Sequence, residues 1–142
     1  MPDFTATAET EIAASTAQVW KALTDPEIIT QYFFGTQVET DWQPGSPIFW
    51  RGEYQGKSYE DRGRVLEIDP LRRLKVTHFS PMTGLPDTPE NYHTLTFELT
   101  EHGDATRVLL TQDNNGDEAE AQRANQNWQT MLDGLRRTVE AG

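Results

Sequence analysis

The spacing of apolar and polar residues changes character along the chain. From about Thr5 to Ala13 the side chains alternate weakly, as in a strand at a sheet edge. Ser15 then precedes TAQVWKAL, with Gln18 three residues on, the arrangement of a capping box opening a short helix whose buried side carries Val19, Trp20 and Leu23. Thr24-Asp25-Pro26 ends that helix and starts a second, with Pro26 at its first position. EIITQYFF continues it, and Gly35 is the expected C-cap. Beyond Thr36 a period of two takes over. It predicts strands at Thr36–Trp42, Ile48–Gln55, Ser58–Ile68, Leu74–Ser80, His93–Thr100 and Thr106–Gln112, separated by the turn clusters QPGSP, QGK, DPLRR and EHGD. Connections this short join antiparallel neighbours. The one long connection, PMTGLPDTPEN, is expected to form the rim or lid of a site.

The last predicted element is DEAEAQRANQNWQTMLDGLRRTVEA. Acidic residues lead it and Arg136 and Arg137 lie near its end, which suits the helix dipole. Ala124, Trp128, Met131, Leu132, Leu135 and Val139 recur at spacings of three and four and form one apolar stripe. About 22 helical residues span about 33 Å, enough to lie across a whole sheet. The predicted order is β-α-α-β-β-β-β-β-β-α.

That order resembles the helix-grip fold of the START-like (Bet v-like, SRPBCC) superfamily: an α+β class in which a curved antiparallel sheet wraps a long C-terminal helix. Five stretches narrow the resemblance. STAQVWKALTDPEIITQYF, DWQPGSPIFWRGE, GRVLEIDPLRRLKVTH, HTLTFELTEHGDATRVLLTQ and NWQTMLDGLRR are similar, in order, to the family named after the activator of a heat-shock chaperone's ATPase. The resemblance implies a single-domain member of that family over residues 1–142. Superfamily members bind lipids, sterols, polyketides or hormones, and some cyclise or dehydrate polyketides. The resemblance therefore implies binding of a small hydrophobic or amphipathic molecule in a cavity between sheet and helix. A chaperone-type protein interaction and a cyclase- or dehydratase-type enzyme are the alternatives.

Strand parity gives the faces such a cavity would use. The inward residues are Ile48, Trp50, Gly52 and Tyr54; Leu74, Val76 and His78; His93, Leu95, Phe97 and Leu99; and Val108, Leu110 and Gln112. Trp128, Met131, Leu132 and Leu135 face them from the long helix. Tyr54, His78, His93 and Gln112 interrupt an otherwise apolar surface. The two histidines end neighbouring strands, where they either orient the polar end of a ligand or are satisfied by backbone and water beneath the long loop. The run Tyr32-Phe33-Phe34 at the sheet mouth reads either as a ligand gate or as packing at a helix end.

Charge narrows the partners. Twelve basic against 23 acidic residues leave a net charge of -11, a field that repels phosphate backbones and anionic headgroups, so neither nucleic acid nor a membrane is an expected partner. Arg72, Arg73 and Lys75, the densest basic patch, read as a solvated strand entry. No apolar run approaches the roughly 20 residues of a membrane span. The segment MPDFTATAET has neither the basic nor the apolar region of a secretory signal, and with no cysteine present a cytoplasmic location is expected.

Catalytic signatures are weak. There are three histidines, and His102 falls in the EHGD turn, so no three-ligand zinc set is spaced credibly. No HExxH, phosphate-binding glycine loop or GxSxG elbow is present, and neither a metal nor a cofactor is expected. Glu53, Glu60 or Asp61 beside a pocket histidine would supply acid–base chemistry, but among so many acids they read as a solvated strand face. For a protein partner, the outward Phe49 is the strongest hint of a contact surface.

Overall fold

Seven strands form one antiparallel sheet in the computed structural model, which describes residues 4–141 save the side chains of Tyr54 and Met82. They are β1 (Phe4–Ile12), β2 (Gln37–Thr40), β3 (Pro47–Tyr54), β4 (Lys57–Asp69), β5 (Arg73–His78), β6 (His93–His102) and β7 (Ala105–Asn115). Their spatial order is β1-β7-β6-β5-β4-β3-β2, so strands two to seven form a meander and β1 returns to pair with the last of them. Helices α1 (Thr16–Thr24) and α2 (Pro26–Tyr32) carry the chain from one edge of the sheet to the other, and α3 (Glu118–Ala141) lies in the concave face. This is the helix-grip fold.

The local signals act as their chemistry requires. Ser15 accepts from the Gln18 amide at 3.2 Å and Gln18 Oε1 accepts from the Ser15 amide at 3.1 Å, a complete capping box. Asp25 caps α2 through the Glu27 amide at 2.9 Å. The end of α2 differs from expectation. Its C-cap is Phe33, not Gly35, and the chain then turns through two left-handed residues, Phe34 at φ 52° and Gly35 at φ 74°. Strand β2 is shorter than the period-two pattern suggests, because Thr36 is withdrawn into the interior and Trp42 adopts φ 56°.

Curvature is concentrated in β4. The register with β5 shifts between Val65 and Glu67, and at Gly63 the strands approach so closely that a Cβ would lie 1.7 Å from the Thr77 carbonyl oxygen. Bulges of this kind bend a sheet. The bend turns both halves of the sheet toward α3. On the edge strand β1, the Glu9 amide and carbonyl are taken by the Gln129 side chain at 3.3 and 3.0 Å, and Glu140 accepts from the Ala13 amide at 2.9 Å. The grip helix thus covers the polar backbone of an edge that would otherwise invite pairing.

The core lies between the C-terminal half of α3 and the sheet. Met131, Leu132 and Leu135 are fully buried against Ile12, Val65, Val108 and Leu110, with Val19 and Leu23 from α1 closing one side. Gly134 lets α2 approach: the Tyr32 carbonyl oxygen lies 3.2 Å from where a Cβ would stand. Among the described residues no helix is long and apolar enough to cross a membrane.

Candidate functional site: an open cavity under the first half of the grip helix

The 24-residue helix α3 is about 36 Å long, and its two halves differ. The second half fills the sheet with Met131, Leu132 and Leu135. The first half has no fully buried residue and presents Glu120, Ala124 and Asn127 to the sheet, side chains too small or too polar to fill the space. An open cavity of about 860 Å³ results. That volume is typical of small-molecule sites. Phe33 and Phe34 wall it at the end of α2, Trp50 and Trp128 at its base, and Leu85, Glu90 and Asn91 from the β5–β6 connection at its rim.

The rim is held in place. Phe79 stacks on Tyr92 at 5.2 Å between ring centroids, and Asn114 Nδ2 donates to the Glu90 and Tyr92 carbonyls at 2.8 and 2.9 Å. Tyr92 donates to Asp87 at 2.5 Å; partial burial and then this contact push its phenol above the usual range. Two apolar side chains nevertheless stand out at the mouth from opposite sides: Phe34 is 63% exposed and Leu85 53%.

The polar end of the cavity is built by neighbouring strands. Trp50 on β3 pairs with Asp61 on β4, and His78 closes β5 opposite His93 on β6. His78 Nε2 lies 3.0 Å from Asp61 Oδ2, and the His78 ring meets Trp50 edge-on at 4.8 Å. Both polar side chains are mostly sequestered, 17% and 16% exposed. Beside them the Tyr59 and Thr36 hydroxyls share a 2.6 Å hydrogen bond. Gly52 makes room for the Tyr59 ring, since a Cβ there would stand 2.6 Å from the phenolic oxygen.

His93 and Gln112 have protein partners. His93 Nδ1 donates to the Asp113 carbonyl at 2.8 Å, and its Nε2 stands 3.7 Å from Glu120 across the cavity. Trp128 Nε1 donates to Gln112 Oε1 at 2.8 Å; Gln112 Nε2 passes the chain on to Asn115 Oδ1 at 2.7 Å, and Asn115 donates to the Phe4 carbonyl at 2.7 Å. Trp128 also packs edge-on against Phe33 at 5.7 Å, which fixes both rings.

Of the side chains expected to face a cavity, Phe33, Trp50, His78, His93, Gln112 and Trp128 line this one. Tyr32, Ile48, Phe97 and Met131 instead surround a separate apolar void of about 40 Å³ deeper in the core, with Phe33 and Trp50 as the partition between the two spaces. Tyr32 is buried and donates to the Ala22 carbonyl at 2.9 Å, and burial pushes its phenol far above the ordinary range. Leu132 and Leu135 are core, because they lie on the half of α3 that touches the sheet directly. The Tyr54 side chain lies outside the described residues.

Asp61, Tyr59, Thr36 and Phe34 are cavity residues that parity reasoning on β3 and on β5 to β7 did not reach. The signal existed: stepping back in twos from the buried Val65 gives Gly63, Asp61 and Tyr59. The polarity of those side chains made β4 read as solvated. Glu60 does face outward, ion-paired with Arg51 at 2.7 Å, and Phe49 lies under the same guanidinium at 4.9 Å. Among the described residues no three acidic or histidine side chains gather as metal ligands.

Comparison with known proteins places this architecture. Residues 13–140 match the family model of Activator of Hsp90 ATPase homolog 1-like proteins, and the chain belongs to that family. A protein from Cytophaga hutchinsonii of known solution structure is 48% identical, with 96% of this chain covering 94% of that one at a TM-score of 0.84. The crystal structure of a Nitrosomonas europaea protein shares the fold at 20% identity and a TM-score of 0.77, over 96% of this chain and 94% of that one. DynU16, a protein of the dynemicin biosynthetic locus, shares the fold at 22% identity and a TM-score of 0.81, with 99% of this chain covering 49% of that one. No curated protein matches.

Proposed function

We propose that this protein binds an amphipathic small molecule in the cavity between the sheet and the first half of α3. The carrying observation is the open space of about 860 Å³, with aromatic walls from Phe33, Trp50 and Trp128 and a polar end at Asp61 and His78. A folded chain gains nothing from leaving Phe34 and Leu85 exposed at the mouth; a ligand that covers them recovers that apolar area. The binding takes place in the cytoplasm, the compartment expected from composition. A thermal-shift screen against amphipathic aromatics, sterols and fatty acids tests the reading. A ligand at 100 times its dissociation constant adds about 2.7 kcal/mol and raises the midpoint by several degrees. No shift from any class rejects it.

A cyclase- or dehydratase-type reaction in the same cavity is the second reading, favoured by the Asp61–His78 hydrogen bond. A carboxylate-oriented imidazole is a common acid–base device. Turnover of a bound ligand that falls with His78→Gln while binding persists would support it. A chaperone partner rests on the family resemblance alone, because Arg51 already covers Phe49.

A further inference from the structure

The class of ligand follows from what the polar end of the cavity still needs, and the inference rests on the binding role proposed above. Asp61 and His78 satisfy each other through one atom apiece, while Asp61 Oδ1 and His78 Nδ1 are buried with no hydrogen-bond partner. Buried polar atoms are nearly always paired, and both side chains line the cavity, so a turn of either one toward that space would offer its covered orphan to a ligand group. A third, Arg62 Nε, belongs to a side chain that does not line the cavity.

The pairing fixes what that group must be. A carboxylate only accepts, so in the 3.0 Å contact the proton sits on His78 Nε2. In the neutral imidazole that tautomer leaves Nδ1 as a lone pair, an assignment made from the partner. With the carboxylate ionised and the imidazole neutral, both unmatched atoms are acceptors. The nearby hydroxyls of Tyr59 and Thr36 are engaged with each other. Elsewhere on the described wall the charged groups are Glu53, Glu90 and Glu120 against Arg123 alone. Trp50, which meets the His78 ring edge-on, adds an aromatic wall beside it.

We propose that the cavity takes an apolar or aromatic body carrying a hydrogen-bond donor head, a protonated amine above all, with Asp61 as its principal acceptor, and that it discriminates against carboxylates. A carboxylate head brings further acceptors to a place that already has two unmatched. It also meets a wall of like charge.

Isothermal titration of the intact chain with three ligands of one ring system tests this: 1-naphthylmethylamine, 1-naphthylmethanol and 1-naphthylacetate. The amine is expected to bind at least about tenfold more tightly than the carboxylate, with the alcohol between them, as one charge-assisted hydrogen bond implies. Asp61→Asn should bring amine and alcohol to within about threefold of each other. Glu101→Gln removes the same charge from an exposed site at the far end of β6 and should leave the ranking intact. If Asp61→Asn melts too low to titrate, Glu120→Gln on the helix wall takes its place and should narrow the amine's advantage without weakening the alcohol. A carboxylate that binds as well as the amine overturns the proposal, as does an equal effect of Glu101→Gln and Asp61→Asn, which would reduce the preference to the bulk field. In both cases binding of the neutral alcohol keeps the cavity reading alive. If none of the three binds, the inference is overturned, and the thermal-shift screen decides separately whether the binding role stands.

Discussion

Trp128 on the grip helix donates its indole N–H to Gln112 on β7 at 2.8 Å, and this bond is the first link of a buried chain that ends on the Phe4 carbonyl of the edge strand. It ties helix, central sheet and edge together at the cavity's base. Gln112→Leu removes an acceptor from Trp128 and a donor from Asn115 while keeping the volume. The expected cost is about 1–3 kcal/mol, the range for polar groups left unpaired, read as a lower urea midpoint at unchanged slope. An unaltered midpoint would mean that water replaces the amide.

Two glycines on the concave sheet should respond differently to alanine. At Gly63 the added methyl meets the Thr77 backbone oxygen at 1.7 Å, and backbone cannot step aside without undoing the β4–β5 register. Gly63→Ala is expected to cost about 3 kcal/mol or more and to lower the yield of folded protein. At Gly52 the methyl meets only the end of the Tyr59 side chain, 2.6 Å away. That ring lines the cavity, and displacement into it would break the bond to Thr36. The expected cost is smaller, about 1 kcal/mol, with ligand binding lost to the displaced ring.

Phe34 combines a left-handed backbone with an exposed ring at the cavity mouth. Placing a non-glycine residue there costs about 1 kcal/mol, and strain of this kind tends to persist where it serves a site. Phe34→Gly is therefore predicted to stabilise the free protein by about 0.5–1 kcal/mol. It should also weaken the neutral dye N-phenyl-1-naphthylamine about three- to tenfold. Opposite signs are the signature; a variant that loses both stability and dye binding would show that Phe34 is ordinary packing.

Ala124 sits on α3 facing the unfilled space. Ala124→Trp should occupy part of the cavity without displacing the core, leaving the melting temperature equal or higher and abolishing any ligand-induced shift. Retained ligand stabilisation in this variant would place the ligand elsewhere.

Tyr32 gives the protein an alkaline limit. Burial raises its phenol above the unfolded value of about 10, so the folded state holds its proton longer than the unfolded state. The stabilisation is complete below about pH 10 and is lost progressively as pH rises above it. Tyr32→Phe should flatten that decline, at a cost of about 1 kcal/mol for the bond to the Ala22 carbonyl. The check is a set of urea midpoints between pH 8 and 11. An equal decline in both proteins would assign it to other groups, Tyr92 first.

Where the amino-acid pattern alone was informative, the information was local. Ser15 and Gln18 form their cap from residues three apart, Pro26 starts α2, and period-two alternation on β5, β6 and β7 places Val76, Phe97 and Leu110 inside, because a strand has only two faces. The α3 stripe, from Met131 to Leu135, identifies the grip helix for the same reason. Periodicity does not say how far apart two apolar faces stand. Tyr32, Ile48, Phe97 and Met131 therefore belong to the core around a small void, and the larger space opens one helix half away, where Ala124 and Asn127 leave it unfilled. Nor does it bring Asp61 to His78. Those residues are 17 positions apart, and their meeting depends on the pairing of β4 with β5 and on the bend at Gly63. The order of elements and the inward faces are properties of neighbouring residues and so lie in the sequence. The cavity and its acceptor end depend on contacts between distant strands and a helix, and only the tertiary structure decides them.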